Sequence, residues 1–143
     1  AGKIPGRKVE IVATDISTEA LARARAGIYT QFEVQRGLPV QYLLKHFTKV
    51  GDNWKIADDI IRMVNFREFN LLEPFGGLGT FDVVFCRNVL IYFDMPTKTA
   101  VFGRIESVLA KDGYLLLGGA ETVVGITERF KPSSAHRSLY VRS

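Results

Sequence analysis

The sequence has few of the residues that disulfides, metal sites and membrane spans require. Among 143 residues there is one cysteine, Cys86, so an internal disulfide is excluded and the chain fits a reducing, cytoplasmic location. The two histidines, His46 and His136, lie far apart and have no cysteine or carboxylate at ligand spacing, so we expect no metal site. No apolar run approaches the roughly 20 residues that a membrane-spanning helix needs.

The charge of the chain is modest and evenly spread. The formal net charge is +4, and lysine and arginine form no dense run, which argues against a nucleic-acid-binding protein. An excess of this size supports only a weak preference for acidic partners. With 47% hydrophobic residues, the chain has enough apolar side chains for one globular domain that covers residues 1–143.

The first recognisable elements are a strand at 9–14 and a helix at 18–26. Ser17 suits the N-cap of this helix, and Gly27 suits the position after its end. Asp15 then lies at the carboxyl tip of the strand, where a carboxylate can accept hydrogen bonds from ribose hydroxyls. The alternative is that Asp15 only caps the helix or forms a turn, and the pattern alone does not decide between the two.

A second strand, predicted at 81–86, ends abruptly in a polar stretch. Because ligands of open α/β sheets bind just outside the carboxyl ends of strands, Asn88 and Tyr92 are candidate site residues. The alternative is a core strand followed by an ordinary loop, since short apolar runs are ambiguous. An amphipathic helix at 97–110 and a buried strand at 114–117 continue the α/β pattern.

The middle of the chain has a different pattern. A hairpin is predicted at 46–56 around a Gly-Asp-Asn turn, and a third extended segment follows at 60–69. Together they predict a small antiparallel unit that is either a docking surface at a sheet edge or only a cover for that edge. We interpret 29–39 as a connector, and we expect a closing hairpin from 130–132 and 138–142.

Four short motifs occur in order along the chain, at 13–17, 70–72, 81–94 and 118–121. They read Ala-Thr-Asp-Ile-Ser, Asn-Leu-Leu, a strand that continues into Cys-Arg-Asn-Val-Leu-Ile-Tyr-Phe-Asp, and Gly-Gly-Ala-Glu. In combination they resemble the CheR-type chemotaxis receptor methyltransferases, and the resemblance covers essentially the whole chain as the C-terminal part of such a protein. That family transfers the methyl group of S-adenosylmethionine to glutamate side chains of bacterial chemoreceptors.

The resemblance implies a function, a cofactor and site residues. The chain would be part of a protein-glutamate O-methyltransferase that uses S-adenosylmethionine, releases S-adenosylhomocysteine and modifies the cytoplasmic helices of methyl-accepting chemotaxis proteins during sensory adaptation. The catalytic residues would be Asn88 and Tyr92. The cofactor-binding residues would be Asp15, Ile16, Asn70, Leu71, Asn88 and Val89.

The resemblance also implies the fold. It predicts an α/β, Rossmann-like class I methyltransferase sheet that lacks its first, central strand, with an inserted antiparallel β-subdomain at 44–67 that in some members docks a receptor-tail peptide. Residues 1–8 contain no match to the family's first strand and its glycine-rich cofactor loop. That strand would lie between 9–14 and 81–86. We therefore expect these two strands to close up, or a second copy or an N-terminal fragment to supply the strand.

Two other interpretations are open. One is a fragment that binds the receptor but not the cofactor and acts only as a binding module. The other is an unrelated nucleotide-binding α/β enzyme such as a dehydrogenase. The interpretation as a nucleotide-binding enzyme such as a dehydrogenase is disfavoured, because no G-x-G-x-x-G motif opens a helix after a strand.

Overall fold

The computed structural model describes residues 5–143, so the prediction for 1–8 lies partly outside the described residues. The chain divides after Asn70 into two compact units. We call the part up to Asn70 the N-terminal unit and the part from Leu71 to Ser143 the C-terminal unit. Within residues 5–143, every helix is too short or too polar to span a lipid bilayer.

The described part of the N-terminal unit alternates short strands and helices. In chain order these are β1 Ile11–Asp15, α1 Thr18–Ala26, β2 Ile28–Thr30, α2 Gln31–Gln35, α3 Val40–His46, β3 Phe47–Val50, β4 Asn53–Ile56, α4 Asp58–Arg62 and β5 Val64–Glu68.

Helix α1 begins and ends at the predicted residues. The Ser17 hydroxyl oxygen accepts a hydrogen bond from the Ala20 N–H at 3.1 Å, which satisfies one of the free amides of the first turn. Gly27 ends the helix in the left-handed conformation, with φ 65°. A Cβ at this position would lie 2.7 Å from side-chain atoms of both Ile56 and Ile61, so only glycine fits there.

Strands β1 and β5 form a parallel pair, with Ile11 opposite Val64 and Asp15 opposite Glu68. The prediction that 60–69 is a third antiparallel strand is therefore wrong. Its first part belongs to α4, and its second part returns beside β1 after a crossover through the intervening elements, as parallel pairing requires. Both strands of the pair end at the same edge.

The three-stranded antiparallel sheet of the N-terminal unit has the order β2-β4-β3. The predicted hairpin is confirmed as β3 and β4, with Phe47 opposite Ile56 and Val50 opposite Asn53. Its third strand is β2, so the interpretation of 29–39 as a connector is wrong. A strand of three residues is too short to show the alternation by which strands are recognised.

The C-terminal unit contains one four-stranded sheet and a long helix. Its elements are β6 Phe81–Cys86, a 3₁₀ turn Leu90–Tyr92, α5 Met95–Val108, β7 Leu109–Leu117, β8 Phe130–Pro132 and β9 Leu139–Arg142. The sheet order is β6-β7-β9-β8, in which β6 and β7 are parallel and the other neighbours are antiparallel. The closing hairpin predicted from the sequence is confirmed as β8 and β9.

The core of the C-terminal unit lies between α5 and the sheet. Phe102 and Ile105 of α5 and Leu115 and Leu117 of β7 are at most 1% exposed. The Phe102 ring lies 6.0 Å from the ring of Phe130 on β8, which joins the helix to the far strand of the sheet. This packing fixes the position of β7, whose carboxyl end carries the site residues described below.

Two of the strands have one strand neighbour each within the described residues. β1 pairs with β5 alone, and β6 pairs with β7 alone. On β6, the side chains of Val83 and Phe85 are 44% and 69% exposed. Each strand therefore keeps one edge on which no described strand is bonded.

Candidate functional site

The carboxyl edge of the β1–β5 pair carries three of the predicted cofactor residues. Asp15 is the last residue of β1, opposite Glu68 of β5, and its carbonyl accepts the N–H of Phe69 at 2.9 Å. Asn70 is the next residue along the chain. The N-terminal unit therefore brings Asp15, Ile16 and Asn70, the residues that the resemblance implies for cofactor binding, to one edge.

The Asp15 carboxylate is exposed and also shapes the local turn. Its Oδ1 accepts the N–H of Ser17 at 2.8 Å, just before α1. The turn-forming role that was the alternative from the sequence is thus present. The bond from Ser17 occupies only one acceptor position of the Asp15 side chain, because an ionised carboxylate has about four acceptor sites. Ile16 beside it is 64% exposed, which is unusual for isoleucine and leaves an apolar surface next to the carboxylate.

Leu71, the first residue of the C-terminal unit, is held by α5. Its carbonyl accepts a hydrogen bond from Arg104 Nη1 at 3.2 Å. This contact fixes the backbone of Leu71.

The second group of predicted residues lies just after β6. Asn88 has φ 60°, a left-handed conformation that asparagine tolerates better than most residues. The chain then forms the 3₁₀ turn, which buries Leu90 to 2% exposed and leaves Tyr92 80% exposed. Asn88 and Tyr92 are both at the surface of the C-terminal unit, with the buried Leu90 between them as the anchor of the loop.

A buried carboxylate, Glu121, holds this loop in place. Its Oε1 accepts the N–H of Asn88 at 2.5 Å and the N–H of Gly118 at 2.8 Å. Its Oε2 accepts the N–H groups of Leu90 at 2.8 Å, Val89 at 3.2 Å and Ile91 at 3.3 Å. We call this set, the Glu121 carboxylate and the five amides of Gly118 and 88–91, the Glu121 clamp.

The local sequence explains how the carboxylate reaches this position. β7 ends at Leu117, and the chain turns back at once, with the Glu121 N–H donating to the Gly118 carbonyl at 3.0 Å. The side chain of Glu121, 8% exposed, then lies against the loop that follows the neighbouring strand β6. A buried carboxylate is costly unless several donors compensate it, and charge-assisted hydrogen bonds from five amides do so here.

Gly118 is required because of a close approach. A Cβ on Gly118 would meet Oδ1 of Asn88 and would lie 2.7 Å from Oε1 of Glu121 and 3.0 Å from the Asn88 nitrogen. No side chain fits between the two loops at this point. The absence of a Cβ on Gly118 therefore lets the ends of β6 and β7 share one carboxylate.

Sequence reasoning missed the role of Glu121. The motif at 118–121 was used only as part of a family resemblance, and none of its residues was placed in the site. A usable signal was present, because a glycine directly after a buried strand, followed three residues later by glutamate, can form a tight turn with a carboxylate at its base. The amides that donate to that carboxylate, however, lie about thirty residues away in the sequence, at 88–91.

The single cysteine is inert at neutral pH. Burial, and after it the negative charge of Glu121, raises the pKa of the Cys86 thiol to about 11, from an ordinary value of 9.0. The thiol therefore remains protonated and is a small buried hydrophobe at the end of β6, as expected for a cysteine without a catalytic role.

This raised pKa predicts a loss of stability in alkaline solution. Because the unfolded thiol ionises at lower pH than the folded one, the unfolded state is favoured as the pH rises from 9 to about 11. We expect the free energy of unfolding from urea titrations to fall more between pH 8 and pH 10.5 in the unmodified chain than in Cys86→Ala. The two proteins differ only at residue 86, so equal falls would contradict the prediction.

Comparison with known proteins identifies the family. Residues 2–139 match the family model described as CheR methyltransferase, SAM binding domain. The chain belongs to the CheR methyltransferase family. The match includes both groups of residues described above, and the predicted resemblance is confirmed at the level of the family.

Relatives of this CheR family chain include chemotaxis methyltransferases of several bacteria. The chemotaxis protein methyltransferase of Vibrio anguillarum is 44% identical over 131 residues, which cover 91% of this chain and 47% of the relative. Chemotaxis protein methyltransferase 1 of Vibrio cholerae is 44% identical over 124 residues, which cover 86% of this chain and 45% of the relative. The chemotaxis protein methyltransferase of Borreliella burgdorferi is 40% identical over 120 residues, which cover 82% of this chain and 42% of the relative. The chain spans about half the length of these relatives.

Proposed function

We propose that the chain is the part of a chemotaxis methyltransferase that binds S-adenosylmethionine and transfers its methyl group to glutamate side chains of methyl-accepting chemotaxis proteins. The main support is the loop at 88–92, which presents Asn88 and Tyr92 at the carboxyl end of a sheet strand in a chain of the CheR family. S-adenosylhomocysteine would be the product. A cytoplasmic location, and a Rossmann-like class I sheet completed by a further strand, are parts of the same proposal.

The chemistry of this transfer suits a site without a general base. A glutamate side chain has a reference pKa of about 4.3, so it is already ionised and nucleophilic at neutral pH. S-adenosylmethionine, when bound, supplies an electrophilic methyl group on a positively charged sulfur. The residues of the chain then have to hold the carboxylate oxygen in line with the methyl carbon and sulfur, and to exclude water. Asn88, Tyr92 and backbone dipoles are suited to that task.

The residues of the N-terminal unit would hold the nucleoside. Asp15 would accept hydrogen bonds from the ribose hydroxyls with the acceptor positions that the Ser17 amide leaves available. The exposed side chain of Ile16 would cover an apolar face of the nucleoside. Asn70 and Leu71 would flank the adenine ring.

The loop after β6 would hold the methionine end. The N–H of Val89 is already bonded to Glu121, so the backbone of Val89 would contribute its carbonyl oxygen. That oxygen accepts a long hydrogen bond, 3.3 Å, from the Tyr92 N–H. A carbonyl oxygen suits the ammonium group of the methionine part. The Asn88 amide would orient the same end, and the exposed ring of Tyr92 would line the path of the methyl group.

The antiparallel sheet would bind the partner. We propose that the β2-β4-β3 sheet, which contains the hairpin of the β-subdomain predicted at 44–67, docks chemoreceptors, including a receptor-tail peptide added as a strand at one of its edges. The single-neighbour strands β1 and β6 further support completion of the sheet by a strand from a second copy or from an N-terminal fragment.

Methyl transfer to a receptor cytoplasmic fragment tests the proposed function. We expect the whole native protein to transfer radiolabelled methyl groups to the receptor fragment. Alkali should release these groups, because it hydrolyses methyl esters of glutamate. Asn88→Ala and Tyr92→Phe should each lower kcat/KM roughly tenfold or more, the loss of one orienting hydrogen bond of about 1–3 kcal/mol. Tyr114→Phe, which removes the same hydroxyl from a half-exposed tyrosine on β7, should change it less than twofold.

Calorimetry with S-adenosylhomocysteine separates this proposal from the binding-module alternative. Micromolar binding supports the methyltransferase site. Receptor binding without any heat from S-adenosylhomocysteine would support the cofactor-incompetent module instead. Full activity in both Asn88→Ala and Tyr92→Phe would remove these two residues from the site.

A further inference from the structure

We infer that Glu121 is the positioning residue of the transfer site. It acts through the loop at 88–91 and touches neither substrate nor cofactor. This inference rests on the proposed function. Four consecutive amides of the loop, together with that of Gly118, converge on its two oxygens at 2.5–3.3 Å. No other side chain in residues 5–143 is recorded with as many backbone amides.

Only a carboxylate fits at the centre of the Glu121 clamp. Oε1 accepts two N–H groups and Oε2 accepts three, so the pocket requires two acceptor oxygens and no donor. Glutamine has the same shape but carries one oxygen and one NH₂ group. In either orientation its NH₂ group would face at least two backbone N–H groups, which repel it.

The clamp also sets the backbone conformation of Asn88. Consecutive amides that point to one acceptor force the chain to curl tightly around it, and Asn88 does so with φ 60°. Asparagine tolerates this left-handed conformation better than most residues, but it still costs free energy that the surroundings have to offset. The bond from the Asn88 N–H to Oε1 is the shortest of the five, so Glu121 is the group that fixes it.

The clamp holds both ends of the segment proposed to orient the reaction. The Ile91 N–H bond to Oε2 lies immediately before Tyr92, so the same carboxylate fixes both ends of the segment that carries the two proposed catalytic side chains. In-line transfer tolerates little misplacement of the groups that orient it. Loosening of the clamp should therefore lower cofactor affinity and transfer without removing any group that contacts the substrate.

The test compares Glu121→Gln and Glu121→Asp with Ile105→Val in the whole native protein. Ile105 is 1% exposed in the core of the same unit and is not one of the clamp residues, so Ile105→Val controls for a general loss of stability. Glutamine removes the charge, and aspartate keeps it but withdraws both oxygens by one methylene. If the glutamine variant does not fold, the aspartate variant decides by the same criteria.

The first measurement is amide hydrogen exchange at 88–91 without any cofactor. We expect exchange at these four amides to be at least fivefold faster in the Glu121 variant than in Ile105→Val. A smaller difference overturns the clamp. Because no cofactor is present, this result does not depend on whether the proposed function is right.

The second measurement is S-adenosylhomocysteine affinity together with the kcat and KM of methyl transfer. We expect the dissociation constant and the KM for S-adenosylmethionine to rise at least fivefold relative to Ile105→Val. A smaller change, in a wild-type protein that binds and transfers, overturns the positioning role alone. A wild-type protein that neither binds nor transfers removes the proposed function, and the exchange result still decides on the clamp.

Discussion

Gly118→Ala is expected to destabilise the C-terminal unit by at least about 2 kcal/mol and to lower methyl transfer at least tenfold. The added Cβ would meet Oδ1 of Asn88 and lie 2.7 Å from Oε1 of Glu121. Overpacking of this kind costs about 1–3 kcal/mol, and a buried acceptor that loses a donor costs a similar amount. To relieve the contact, the loop after β6 has to move away from the end of β7, and Asn88 moves with it.

The neighbouring glycine provides the matched control for this experiment. A Cβ on Gly119 would meet no atom within 4 Å, although it is the next residue in the same turn. Gly119→Ala adds the same methyl group and should therefore leave the free energy of unfolding within about 0.5 kcal/mol, and the transfer rate within about twofold, of the wild-type values. Equal effects of the two substitutions would show that the approach of the two loops at Gly118 has no special importance.

Phe102→Ala is expected to cost about 3–5 kcal/mol of stability in the C-terminal unit, the usual range for removing a buried phenylalanine ring. Phe102 is fully buried in α5 and packs on Phe130 of β8, with 6.0 Å between the ring centroids. Total stabilities of proteins are about 5–15 kcal/mol, so this single change removes a large share. The cavity it leaves lies between the helix and the sheet that carries the site.

The readout has to come from the C-terminal unit itself. The chain has one tryptophan, Trp54, which belongs to the N-terminal unit, so tryptophan fluorescence would report on the wrong part. Hydrogen exchange at the amide of Leu115, in the middle of β7, is the better probe. Val124→Ala is the control, because Val124 is 67% exposed in the same unit and should cost less than about 1 kcal/mol.

The sequence predicted the elements whose signals are local. Ser17 and Gly27 mark the two ends of α1, and the structure has them as its N-cap and its left-handed C-terminal residue. The strand at 81–86 and the hairpin of β3 and β4 were likewise confirmed, because an apolar run and a turn motif are both contained in a few consecutive residues.

The predictions that failed depended on distant parts of the chain. The segment 60–69 was placed in an antiparallel sheet, whereas β5 pairs with β1, more than fifty residues earlier. Helix α5 was predicted to extend to residue 110, but it ends at Val108, and β7 begins at Leu109 without a loop. In both cases tertiary pairing overrides a local pattern that is compatible with more than one structure.

Among the residues of the candidate site, too, those with a local signal were predicted and the one that depends on distant residues was missed. Positions after strands identified Asp15 and Asn88, because the carboxyl ends of strands are visible in the sequence. Glu121 was missed, because its importance comes from the amides that converge on it, and backbone amides have no sequence signature of their own. The specific roles of the site residues toward cofactor and substrate stay predictions until they are measured.

The clamp also determines which mutations the loop can accumulate. Among residues 5–143, Glu121 is bonded to backbone N–H groups only, so the clamp itself places no demand on the side chains at 89–91, apart from excluding proline, which has no N–H to donate. Gly118 and Glu121, by contrast, have no acceptable substitute. Random mutagenesis with selection for methyl transfer should therefore recover varied residues at 89 and 91, but only glycine at 118 and only glutamate at 121.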